Sequence, residues 1–286
     1  MAISFQIIRE GRDYWATADG GPRFFVGRQV TYQGRVGLTN VFPGTPLPRL
    51  DYDPQNYAER FGFWAAIINP TAGCEGRNFL TLNSYDRAGF TFGFGQFAAH
   101  VPDGDFVRWL HAMLALPEAQ AYFPDLSIIG GRVHAAGVGP LEWAGSTSVL
   151  MAWLNPMPRA VDTAEVLTAA RLIHWTATHR PARLAQIAQM IASFRGSIAK
   201  ADRRGLIEGR TAAQCCVIAD LLHHGRGGRT VWASVAKALA AADPLDALIA
   251  IGAAQWAERT ATLRREILAM PDLHKRRWSR AAGDFV

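Results

Sequence analysis

Cysteine is scarce in this chain. Only Cys74, Cys215 and Cys216 occur among 286 residues, an odd number with two of them adjacent, which excludes an even disulfide framework and points to reduced core thiols. Long hydrophobic runs are missing too: no stretch reaches about 18 consecutive apolar residues, so no membrane span is expected. The first ten residues, Met1 to Glu10, lack a basic start followed by a long apolar stretch, so no signal peptide is expected. Metal-ligand spacing is likewise absent. His174 and His179 are about 140° apart round a helix and do not share a face. His223-His224 leads into Gly225-Arg226-Gly227-Gly228-Arg229, which lacks the Lys-Ser/Thr of a phosphate loop. No metal and no cofactor is implied.

What is present describes a globular chain. With 49% hydrophobic and 19% charged residues it can bury a sizeable core, which a disordered composition cannot. Lys plus Arg exceed Asp plus Glu to give +6 and a pI near 9.6, which favours an anionic polymer or surface as partner. Bacterial wall, nucleic acid and acidic membranes all meet that charge.

The pattern along the chain suggests three regions. Residues 1–50 carry short alternating segments, Ile3 to Ile8, Phe24 to Gln29 and Val30 to Tyr32, divided by Asp19-Gly20-Gly21-Pro22 and Gln33-Gly34, and read as a small β-rich segment. Pro43, Gly44, Pro46 and Pro48 read as a linker. Residues 51–160 read as a core domain, with helices predicted over Asp105 to Leu116 and Leu141 to Leu154 and loops at Gly130-Gly131 and Gly137 to Pro140. Residues 161–286 read as a helical lobe, with helices predicted over Thr163 to Thr178, Pro181 to Ser193, Ala212 to His223, Thr230 to Ala242 and Pro244 to Met270. Lys275, Arg276, Arg277 and Arg280 around Trp278 read as a solvated basic tail, with a wall or membrane contact as the alternative.

The densest chemistry lies between residues 57 and 97. Tyr57, Phe61, Trp64, Ala65 and Ile68 recur at helical steps, predicting a buried helix over about 55–68 that Asn69-Pro70 ends. Glu75 then follows just beyond it in a tight apolar segment, where desolvation would raise its pKa. Phe79 to Tyr85 and Phe90 to Gly95 predict a hairpin whose return is Asp86-Arg87-Ala88-Gly89, with Asp86 wet and ionised at the tip. Phe90, Phe92 and Phe94 share one face of the second strand. Thr91, Gly93 and Gly95 leave the other nearly bare, which suits a close-lying ligand.

Glu75, Asp86, Thr91 and the run Phe92-Gly93-Phe94-Gly95-Gln96 resemble the glutamate, hairpin aspartate, threonine and glycine-rich strand of the lysozyme superfamily, the phage-type muramidases closest. The resemblance implies a mostly helical α+β fold with two lobes, a small β-hairpin lobe and a helical lobe, preceded here by the β-rich N-terminal segment. It implies cleavage of peptidoglycan glycan strands, with Glu75 as general acid, Asp86 as second carboxylate and Thr91 as the third catalytic residue. Asn83, Tyr85, Gly93, Gly95 and Gln96 would then contact sugar. Glycoside cleavage calls for one carboxylic acid to protonate the leaving oxygen while a carboxylate stabilises positive charge or activates water. Peptidoglycan or a related amino-sugar polymer is the expected partner, nucleic acid is not, and a phage or secretion apparatus would deliver a chain made in the cytoplasm to the wall. Chitosanases and lytic transglycosylases share the layout, the latter needing only Glu75. A non-enzymatic phage-tail or secretion-associated binding protein with such a domain is the alternative of another class.

Overall fold

The computed structural model describes residues 1–286 as an α+β protein with twelve α-helices and three antiparallel sheets. The chain divides into two compact units, each built from two separate stretches: Met1–Asp51 with Asn78–Gln189, and Tyr52–Arg77 with Met190–Val286. No helix is long and apolar enough to cross a membrane.

The first unit holds a seven-stranded sheet in sequential order: β1 Phe5–Glu10, β2 Asp13–Ala18, β3 Phe24–Tyr32, β4 Arg35–Thr39, β5 Leu82–Asn83, β6 Thr91–Phe92 and β7 Phe97–Ala98. Gln33 and Gly34, at φ 49° and 76°, form the two-residue turn between β3 and β4. Positive φ at both corners is what a right-twisted hairpin selects. The N-terminal segment is therefore not separate from the hairpin. β4 pairs with β5 through Thr39 opposite Asn83 and continues the meander, since an edge strand left open exposes unpaired backbone groups. Residues 1–51 share a unit with residues 78–189, so the expected regions 1–50, 51–160 and 161–286 are not the units of the structure. The helix Thr163–Thr178 packs on β1, β2 and β3. Phe92, Phe97 and Phe106 bury themselves around Trp109, with Phe92 stacked on its indole and Phe90 edge-on to Phe106.

A second sheet, for which no strands were expected, is built from β8 Leu126–Ile129, β9 Arg132–Ala135 and β10 Gly139–Pro140, the last inside the loop expected over Gly137 to Pro140. Gly130 and Gly131, at φ 59° and 75°, are a hairpin turn there. The helix expected from Leu141 starts only at Ser148, because Trp143 and Ser146 exchange backbone hydrogen bonds across a tight turn.

The second unit is helical. The helix expected to end at Asn69-Pro70 instead runs Trp64–Cys74 with Pro70 inside it, and the expected upstream part is cut off at Gly62, which takes φ 57°. Proline costs the helix one backbone donor. Burial of Ile67 through Ala72 against the helices Ala212–His224 and Ala257–Leu268 outweighs that loss. The long helix expected after Pro244 is two, Pro244–Ile249 and Ala257–Leu268, parted near Gly252 at φ 76°. The basic tail is docked rather than solvated: Trp278–Ser279 pairs with Asp284–Phe285, Trp278 is buried, and Arg280 bonds the Asp202 carboxylate.

Candidate active site

Glu75, expected in a segment beyond a helix ended by Asn69-Pro70, caps the C-terminal end of the longer helix Trp64–Cys74 and is not isolated in an apolar pocket. Arg259 Nη1 donates to its Oε1 at 2.6 Å, and Arg259 Nη2 donates to Asp220 Oδ1 at 2.7 Å. Asp220 is fully buried, receives a further hydrogen bond from Thr71 Oγ1 at 3.0 Å and pairs with the Arg226 guanidinium. Burial pushes the Asp220 carboxyl up, but the charges of Arg259 and Arg226 outweigh it and hold it below the usual carboxylate range. Burial likewise opposes the charge on Arg259, and Glu75 and Asp220 more than compensate, so this guanidinium stays charged.

Arg259 also lines a hollow of about 530 Å³ with Cys74, His224, Gln255, Trp256, Glu258 and Thr262. Glu75 therefore lies one hydrogen bond behind the wall of a cavity that combines an exposed indole with amide, carboxylate and hydroxyl groups. That mixture suits a ligand with apolar faces and many hydroxyls. Burial, reinforced by Arg259, lowers the His224 pKa to about 4, so its ring is neutral at pH 7. Burial pushes the Cys74 thiol up to about 12, which makes it an inert wall rather than a nucleophile.

The other sequence-derived site residues lie in the first unit. The expected hairpin forms, although its strands are only two residues long, with Asn83 opposite Thr91 and Leu82 opposite Phe92. Thr39 Oγ1 donates to Asn83 Oδ1 at 2.6 Å, and Asn83 Nδ2 donates to Gln96 Oε1 at 3.1 Å, so these three form one polar chain. Thr91 is buried. Tyr85 lies edge-on to Tyr32, and burial, with Asp86 nearby, raises its phenol pKa. Asp86 occupies the return, where its carboxylate accepts the Ala88 N–H at 2.9 Å and its carbonyl the Gly89 N–H at 3.1 Å.

The bare strand face is filled from within. Gly93 sits in a turn at φ 85°, and a Cβ there would fall 2.4 Å from Gln186 Oε1. Gln186 is fully buried, donates to the Phe79 carbonyl at 3.1 Å and accepts from the Phe94 N–H at 3.2 Å. Gly95 is buried as well. Gly93 makes room for a glutamine of the protein's own helix, so the expected sugar contact at Gly93 is corrected to a packing role.

Two anchors of the hairpin escaped the sequence reading. Asn155 Nδ2 donates to the carbonyls of Ser84 and Gly89 at 2.9 and 3.1 Å, clamping both ends of the return. Glu165 is fully buried and takes a short hydrogen bond from Ser84 Oγ. Burial raises its pKa to about 7, with the Ser84 bond opposing. A lone Glu in an Ala- and Leu-rich helix was the available signal.

No family model, curated protein or solved structure matches the chain.

Proposed function

We propose that the protein is a glycoside hydrolase that cuts peptidoglycan glycan strands in the manner of a muramidase, with Glu75 as general acid. The observation that carries this reading is the position of Glu75 at the end of a buried helix, bonded to an arginine that forms the wall of a cavity containing Trp256, Gln255 and Glu258. An acid must hold a proton when it meets the leaving oxygen. Arg259 keeps Asp220 as a partner when Glu75 is protonated, so the acid form does not strand the guanidinium. Asp86, the second carboxylate that the sequence suggests, and Thr91 belong to the first unit, so the reading rests on Glu75. A lytic transglycosylase would use Glu75 alone, and a chitosanase would act on a cationic polymer, to which a chain of charge +6 is poorly matched. The same charge fits an anionic wall reached through lysis or a secretion machine.

One observation favours a non-catalytic reading: the Glu75 carboxylate is already engaged by Arg259, as a purely structural carboxylate would be. Zymography on purified wall separates the two. Glu75→Gln, which keeps the shape and can still accept from Arg259, is expected to lower wall hydrolysis by about 10²-fold or more while the protein stays folded by circular dichroism. Hydrolysis at the native rate by this variant, or none by the wild type, would assign Glu75 to structure. Muropeptide products with anhydro ends would select the transglycosylase.

A further inference from the structure

A second hollow, of about 230 Å³, lies wholly in the first unit and plays no part in the reading above. It is lined by Asp103, Arg108, His111, Arg132, Glu142 and Trp143, among others. Its floor is a pair: His111 Nε2 lies 2.6 Å from Glu142 Oε1, and that buried carboxylate also accepts the Val133 N–H at 3.1 Å. The pair fixes the ring of His111 and pins the helix Asp105–Leu114 to β9. Pinning would be explanation enough for Glu142 and His111 alone.

The pin does not explain what surrounds it. Arg108 lies one helical turn before His111, on the same face of that helix. Arg132 opens β9. Both arginine side chains are exposed and neither enters an ion pair, although this protein pairs Arg28, Arg77, Arg226, Arg259 and Arg280 with carboxylates. Trp143 keeps about a third of its surface open, and the tight turn Trp143–Ser146, with Gly145 at φ 81°, holds its backbone. Asp103 is the one exposed carboxylate of the lining.

We infer that this hollow binds a small anion carried on a flat ring, a phosphate monoester or a carboxylate, with Arg108 and Arg132 holding the anionic group and Trp143 covering the ring. Guanidinium forks match the oxygens of either anion, which is why unpaired arginines on one concave surface favour it over a neutral ligand. The size of the hollow limits the ligand to about one ring with its substituent. Glu142 and His111 act as positioning residues that hold β9, and so Arg132, against the helix carrying Arg108.

The test is a calorimetric titration of the full-length protein with phenyl phosphate, with benzoate and with phenol. Phenyl phosphate, benzoate or both should bind with a dissociation constant of roughly millimolar or tighter, and phenol should give no saturable heat at the same concentration. Whichever anion binds more tightly identifies the anionic group. Arg108→Gln and Arg132→Gln should each weaken that binding roughly tenfold, the loss of one charge-assisted hydrogen bond. Trp143→Ala should weaken it too, and Asp103→Asn, which removes a competing negative charge, should tighten it. All four positions are exposed, and circular dichroism checks that each variant is folded. No saturable binding of either anion up to tens of millimolar, equal binding of phenol, or arginine variants that bind like the wild type would each overturn the inference.

Discussion

Replacing Asp220 by asparagine tests the buried network behind Glu75 most directly. Asp220 accepts hydrogen bonds from Thr71, Arg226 and Arg259 and has no exposed surface. Asparagine keeps the volume and one accepting oxygen but places an NH₂ group against a guanidinium and removes the charge. Arg226, whose side chain is also fully buried, then has no anion, and Arg259 has Glu75 alone. Removing one partner of a buried ion pair costs about 3–5 kcal/mol, because the charge left behind remains desolvated. Against a usual stability of about 5–15 kcal/mol this is a large share. In urea unfolding the midpoint should fall by roughly 1–2 M with little change in slope. The pH dependence supplies a second reading. Asp220 titrates below its ordinary 3.8 in the folded protein, so its contribution is complete above that value and is lost as pH falls through the lower folded one. The gap between wild type and Asp220→Asn should therefore be constant near neutrality and narrow in acid. A loss below about 1 kcal/mol, or a gap that widens in acid, would falsify this account of the network.

Glu165 should show the opposite slope. Its folded pKa is raised from 4.5 to about 7, so its contribution is complete below 4.5 and falls by about 3 kcal/mol by pH 7. Glu165→Gln should then be more stable than wild type at pH 8 and lose that advantage in acid, and parallel stability curves would refute the assignment. Gly93→Ala should destabilise by about 1–3 kcal/mol, since its φ of 85° strains any other residue and the new Cβ meets Gln186. Adding Gln186→Ala should leave the backbone strain in place, so full recovery of the melting temperature would mean that the clash alone mattered.

What the sequence disclosed follows the range of each interaction. Helical periodicity placed the helix Thr163–Thr178 and the start of the helix Ala212–His224, because an amphipathic face is a local pattern. Turn residues located the hairpin around Asp86 for the same reason. The joining of β4 to β5 was invisible, since Thr39 and Asn83 are paired across an intervening stretch that belongs to the other unit. The helix through Pro70 was misjudged because the lost donor is local and the burial that outweighs it comes from residues far along the chain. At the site, Glu75 was found as a carboxylate at a helix end. Its partner Arg259, and the Asp220 that shares that partner, lie over 140 residues away and carry no spacing signal. The glycines of Phe92-Gly93-Phe94-Gly95 were recognised as space left open, but the sequence does not say whether a ligand or a protein side chain fills it. Gln186 fills it at Gly93.

Which carboxylate can act as an acid is decided by reach and by partners together. Asp220 has two guanidiniums and no exposed surface, so it stays ionised and cannot touch a substrate. Glu165 can hold a proton near neutrality, yet it is sealed against Ser84 and has no path to a glycosidic oxygen. Asp86 is accessible and accepts only from the backbone of its own turn. Glu75 alone among these four combines partial exposure, at 14% of its side chain, with a partner that has somewhere else to go. Arg259 bonds both Glu75 and Asp220, so the buried pair that stabilises the unit also bears on how tightly the guanidinium holds Glu75. On the proposed muramidase reading, Asp220→Asn leaves Arg259 with Glu75 alone and should lower wall hydrolysis per folded protein, scored by zymography, beyond what the loss of folded protein explains.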